Sequence, residues 1–104
     1  MINKKIKYLK ECSKYIPSCS QTLSKNPTQY VVGISPIAVK KAKGAYFWDI
    51  ENKKYLDFVM ALGPMIFGYS NPKINSAVKK QIDKGTIFSL PSELELSLAK
   101  LLKE

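Results

Sequence analysis

The chain has 104 residues, 45% of them apolar, with a formal net charge of +9 and no histidine. That length holds one ordinary small domain or a piece of a larger one, and the apolar content separates it from disordered chains. Without histidine, Ser-His-Asp and Cys-His catalysis and almost every zinc-ligand pattern are excluded; all 17 basic residues are lysine, which weakens a nucleic-acid role that leans on arginine's planar fork.

The N-terminus, "MINKKIKYLKECSKYI", is basic but carries no apolar signal-peptide region. No run approaches the ~20 apolar residues that span a bilayer, so the chain reads as cytoplasmic. Ile2, Ile6, Leu9, Cys12 and Ile16 recur at helical spacing between lysines and predict an amphipathic helix over 1–16, ended by Pro17. Cys12 and Cys19 are too few for a disulfide scaffold or a metal site and read as free thiols. Residues 17–35 contain turn formers with no sustained period, and a loop that long is usually functional or disordered.

A three-stranded antiparallel meander follows: Ile37 to Lys41, Ala45 to Trp48 and Tyr55 to Phe58, with a turn at Glu51 to Lys54. Trp48 and the tyrosines form its packing face in this reading. Asp49 and Glu51 lie two residues apart, a spacing that makes a polar edge beside a turn more readily than an acid–base pair. The stretch "ALGPMIFGYSNP", Ala61 to Pro72, is apolar yet broken by two glycines and two prolines. Exposed loops are normally polar, so this one calls for something to pack against, and Met65, Ile66 and Phe67 are expected to be poorly covered within the chain. Asn71 and Pro72 then open a helix with Ile74, Val78 and Ile82 as its buried stripe, closed by Gly85. Ser92 and Glu95 make a capping box for a last helix, whose stripe is Leu94, Leu98, Leu101 and Leu102. That helix reaches Glu104 still apolar on one face and without a C-cap, which reads as a truncation.

Three ordered motifs give these pieces a context. "KGAYFWDIENKKYLDF" follows the pattern G-A-Y-x-W-D-x-D-G-x-x-Y-x-D, "GPMIFGYSNPKI" follows G-P-x-x-x-G-H-x-H-P, and "GTIFSLPSELELSLAKLL" follows G-x-x-F-x-x-P-x-x-x-E-x-x-L-A. Together they resemble the N-terminal segment of class III aminotransferases over residues 15 to 104, in the glutamate-1-semialdehyde aminomutase branch and its aminotransferase relatives. One such motif is weak; three at compatible spacings are strong.

The resemblance implies an α+β segment of a fold-type I enzyme: an N-terminal helix (1–16), an active-site entrance loop (17–35), and the N-terminal part of the small domain with the start of the large one (36–104), truncated. It implies pyridoxal 5′-phosphate as cofactor for the full-length family and a homodimer. It further implies amino-group transfer between a small-molecule donor and a carbonyl acceptor, with no nucleic-acid or membrane partner. The family's Schiff-base lysine, pyridine-facing carboxylate and phosphate loop match nothing before Glu104. No lysine here is nominated as catalytic, and the fragment alone is expected to bind no cofactor and to be inactive.

"IPSCSQTLSK" is similar to the family's I-P-G-G-x-x-S-x-x-R loop. The match puts Thr22 at a serine near the substrate and Lys25 at a carboxylate-binding arginine. On its own Lys25 reads as a solvated lysine; in that context it keeps the charge and loses the bidentate fork. Leu62 takes the place of a substrate-pocket tryptophan, and Tyr69 and Asn71 replace two histidines. These departures point away from the aminomutase itself toward an aminotransferase of another substrate class. The alternative is a small lysine-rich binding protein for acidic partners, either nucleic acid or an anionic membrane.

Overall fold

The computed structural model describes residues 3–103 and divides into two compact units, Met1–Asn71 and Pro72–Glu104. The α+β content matches the sequence reading: three α-helices and one three-stranded sheet among the described residues.

In the first unit, helix α1 spans Lys4–Cys12. Asn3 caps it, its side chain accepting the Lys5 N–H at 2.9 Å. Of the predicted 1–16 helix, Met1 and Ile2 lie outside the described residues, and the C-terminal end comes four residues early. Past Cys12 the chain turns through shorter bonds, Lys14 N–H to Glu11 at 3.2 Å and Tyr15 N–H to Cys12 at 3.1 Å, which satisfy the last carbonyls by tightening the turn. Residues 17–35 are not structureless either. They form three short 3-10 turns, Pro17–Cys19, Leu23–Lys25 and Pro27–Gln29, two of them started by a proline whose missing N–H is no loss there.

Strands β1 (Val39–Lys43), β2 (Tyr46–Asp49) and β3 (Lys54–Leu56) pair antiparallel in that order. The first strand starts two residues later than its apolar pattern predicted. Its register is set from the other end, where Gly44 at φ +58° makes a two-residue hairpin turn and Lys43 faces Tyr46. A register shift between Val39 and Lys41 absorbs the difference. β3 starts one residue early and stops at Leu56, because Asp57 turns the chain away.

The faces of the sheet correct the predicted packing. Phe47 stacks on Tyr55 with centroids 5.2 Å apart on one face. Trp48 and Tyr46 lie on the other, where lysines cover them: Lys41 Nζ is 4.9 Å from the Trp48 ring and Lys54 Nζ 3.8 Å from the Tyr46 ring. The most buried described side chains include a charged pair, Asp49 at 0% and Lys5 at 3% exposure, with Cys12 and Pro27 buried as well.

In the second unit, α2 spans Pro72–Ile82 and α3 spans Glu93–Lys103. Gly85, at φ +101°, ends the turn after α2 and accepts from Gln81 Nε2 at 2.9 Å. Ser92 and Glu95 form the predicted capping box, Glu95 Oε1 accepting the Ser92 N–H at 2.9 Å and Ser92 Oγ the Leu94 N–H at 3.2 Å. The predicted stripe of α2 is not buried: Ile74, Val78 and Ile82 are each at least 45% exposed, and the leucines of α3 each at least 51%. Two helices of 11 residues have too little surface between them to cover two apolar faces. No helix of the described residues is long and apolar enough to cross a membrane.

Candidate functional site

Thr22 and Lys25 fall on one 3-10 turn, where the Lys25 N–H donates to the Thr22 carbonyl at 3.1 Å. The Thr22 hydroxyl shares a hydrogen bond with Ser24 at 3.2 Å, and both Thr22 and Lys25 are exposed. A hydroxyl and an ammonium are both donors that a carboxylate can accept. The end of this loop is fastened by α1. Lys5 Nζ donates to the Ile34 carbonyl at 2.8 Å, and Asn3 Nδ2 to the Gly33 carbonyl at 3.2 Å.

The anchor behind that fastening is Asp49, and here the sequence reading is corrected. Asp49 is no polar edge. One carboxylate oxygen accepts the N–H groups of Glu51 and Lys53, both at 2.9 Å, and the other accepts the Tyr55 hydroxyl at 3.2 Å. Lys5 Nζ stands 3.7 Å from the same second oxygen. Burial alone would raise the Asp49 pKa; the Lys53 and Glu51 amides, the Tyr55 hydroxyl and the Lys5 charge together bring it below the usual carboxylate value. Glu51 remains outside, 3.9 Å from Lys5.

Leu62 stands on a separate element, a turn over Met60–Leu62, and is 64% exposed. The turn is left-handed: Met60, Ala61 and Leu62 have φ of 50°, 52° and 68°. For residues with a Cβ this costs roughly 1–2 kcal/mol each, so neighbours must hold it. The Asp57 carboxylate does so from below, accepting the Val59 N–H at 2.9 Å and the Met60 N–H at 3.2 Å. Its other oxygen accepts the Tyr69 hydroxyl. Burial would raise the Asp57 pKa, but the Tyr69 hydroxyl and the two amides take it below its ordinary value. Burial and the Asp57 carboxylate push the Tyr69 phenol up to about 12. Above this base the loop is apolar and uncovered, with Ile66 and Phe67 each 70% exposed, as the sequence led one to expect; Met65 is half-buried.

Cys12 and Cys19 are free thiols. Burial, and then the neighbouring Cys19 thiol, raises the Cys12 pKa, so it is a poor nucleophile at neutral pH. A groove of about 540 Å³ runs beside α1, lined by Lys4, Lys7, Tyr8, Glu11, Lys40 and Ile50. It is wide open to solvent, and Thr22, Lys25 and Leu62 take no part in its lining.

Among the described residues, the buried lysine and the glycines beside the left-handed turn do not make a pyridoxal phosphate site. The cofactor needs a lysine amine free to condense with its aldehyde and a phosphate cradle. The buried lysine, Lys5, is committed to the Ile34 carbonyl and stands beside the Asp49 carboxylate. The glycines that border the left-handed turn and Tyr69, Gly63 and Gly68, are not spaced as a phosphate loop.

A glutamate-1-semialdehyde 2,1-aminomutase of Heliobacterium modesticaldum is 45% identical over 73 residues, which are 70% of this chain and 17% of that protein. An omega-transaminase from Sphaerobacter thermophilus superposes over 97% of this chain and 22% of its own, with a TM-score of 0.81 and 28% identity. The FumI protein of Sphingopyxis sp. MTA144, solved in its PLP internal aldimine form, matches 92% of this chain and 23% of its own at TM-score 0.82 and 25% identity. The chain thus spans about a fifth of the length of these relatives. The family model for Aminotransferase class-III matches residues 29–104, and the chain belongs to that family.

Proposed function

We propose that this chain is the N-terminal part of a pyridoxal-phosphate-dependent aminotransferase that moves an amino group between a small-molecule donor and a carbonyl compound. The family match over residues 29–104 carries the reading. When bound, the cofactor supplies an electron sink for the carbanion formed at the amino-bearing carbon. That chemistry belongs to the rest of the enzyme; this segment borders the substrate and shuts out water. Thr22 and Lys25 meet the substrate's polar end, and Leu62 contributes an apolar wall. With a lysine at 25 and a leucine at 62, the pocket suits a substrate class other than the aminomutase's. The exposed side chains of Ile66 and Phe67 are covered by the large domain and by a second subunit of a cytoplasmic homodimer. The rival role, in binding acidic partners, has less support, since lysines already occupy the rings of Trp48 and Tyr46 on which bases would stack.

The test expresses the chain alone and joined to the coding sequence downstream of Glu104. The joined polypeptide is expected to hold the cofactor, seen by its visible absorbance, and to transfer an amino group from a donor to a 2-oxo acid. The 104-residue chain is expected to do neither. Cofactor bound stoichiometrically by the chain alone overturns the reading, as does a joined polypeptide that binds none.

A further inference from the structure

We infer that Asp57 and Tyr69 are a positioning pair: their side-chain hydrogen bond closes the base of the 58–68 loop and so fixes where Leu62 stands. What Leu62 faces rests on the aminotransferase reading above; how it is held does not.

Both ends of the loop are fastened to the same hairpin turn. The Asp57 N–H donates to the Ala45 carbonyl at 2.9 Å, and Tyr69 exchanges backbone bonds with Gly44 at 2.8 and 2.9 Å. Ser70 Oγ adds a bond to the Ala42 carbonyl at 2.9 Å. Gly68 lies so close to Gly44 that a Cβ there would sit 3.0 Å from the Gly44 carbonyl oxygen. The backbone thus brings residues 57 and 69 side by side, and the phenol–carboxylate bond joins them.

The carboxylate is also the device that sets the turn. One oxygen holds the Val59 and Met60 amides, which start the left-handed run, and the other is oriented by the phenol. Apolar packing cannot do this work, since Phe58, Leu62, Ile66 and Phe67 are all largely exposed. A polar hinge with exposed apolar side chains above it presents Leu62 without collapsing onto it. The Tyr69 phenol stays protonated, and therefore a donor, from the acid range in which Asp57 ionises up to about 12.

The experiment is amide hydrogen exchange on the 104-residue chain, with Tyr69→Phe as the variant and Tyr15→Phe, at an exposed tyrosine outside the loop, as the control. In Tyr69→Phe the Val59, Met60 and Leu62 amides are expected to exchange about tenfold faster or more, the scale of losing a hydrogen bond to a charged group. The Phe47 and Tyr55 amides of the sheet keep their rate, and Tyr15→Phe leaves the loop as it was. Loop amides unchanged in Tyr69→Phe overturn the inference. If that variant does not fold, the wild-type chain decides by its pH profile. Leu62 methyl resonances are expected to follow the acid titration of Asp57 while the Trp48 indole stays still; Leu62 silent through that titration overturns it too. Failure of the joined polypeptide to transfer amino groups would leave these exchange results standing and remove only the substrate from opposite Leu62.

Discussion

At the scale of single residues, the central fact is that ions, not hydrocarbons, occupy the best-shielded place. A buried charge is tolerated only with a full set of partners. Asp49 has them from the Glu51 and Lys53 amides, the Tyr55 hydroxyl and Lys5. Removing one member strands the rest. Asp49→Ala is expected to destabilise the chain by about 3–5 kcal/mol. Lys5→Met, which leaves the carboxylate its three hydrogen bonds, costs about half of that or less. Urea unfolding followed by Trp48 fluorescence measures both, and equal losses would show that Lys5 carries as much as the three hydrogen bonds together. The sequence concealed this residue's role, since an acidic residue at a strand end resembles ordinary surface. The signal was there in "DIENK", where an aspartate begins a turn and can accept the amides two and four residues on.

At the scale of elements, legibility followed the range of the interaction. α3 was readable to its first residue because its cap is local: Ser92 and Glu95 stand three apart and satisfy each other's neighbourhood. β1 was displaced by two residues because its register comes from the Gly44 turn rather than from its own side chains. The Asp57–Tyr69 bond spans 12 residues and has no local signature. The apolar loop was recognised as anomalous, but its left-handed turn was not foreseen, because Met, Ala and Leu give no hint of positive φ. Gly68 tests how tightly the loop base is built. Gly68→Ala would push a methyl against the Gly44 carbonyl and add strain at φ +75°. It is expected to lower stability by about 1–3 kcal/mol, whereas Gly33→Ala, with open space around it, bears only the conformational cost. Paired thermal melts check the difference, and equal losses would mean that the contact with Gly44 is slack.

At the scale of the whole molecule, the fold class and element order were legible, and the missing interior was partly so. The stripe of α2 was read as buried and that of α3 as left apolar on one face; the residues that carry both are exposed. Such a chain depends on its polar anchors, which gives its stability a particular pH dependence. Asp49 and Asp57 both titrate below their ordinary range in the folded state. A carboxylate depressed by folding contributes fully above its unfolded pKa, and the contribution disappears as pH falls through the folded one. The unfolded value is about 3.9. Unfolding free energy is therefore expected to be level with respect to these two groups from neutral pH down toward that value and to fall steeply below it. The same acid limb should be shallower in Asp57→Asn. Parallel limbs in the two proteins would show that Asp57 contributes nothing to it.

The grip of α1 on the rest of its unit has a consequence for how the chain is made. Lys4 Nζ reaches the Ile50 carbonyl at 2.7 Å, 46 residues away, and Lys5 reaches Ile34, 29 residues away. During synthesis α1 leaves the ribosome before either acceptor: Ile34 follows it ahead of β1, and Ile50 only after β2. A helix of nine residues is too short to persist by itself in water. Helix α1 thus settles only after the segments it grips have been made, Lys5 waiting for Ile34 and Lys4 for Ile50.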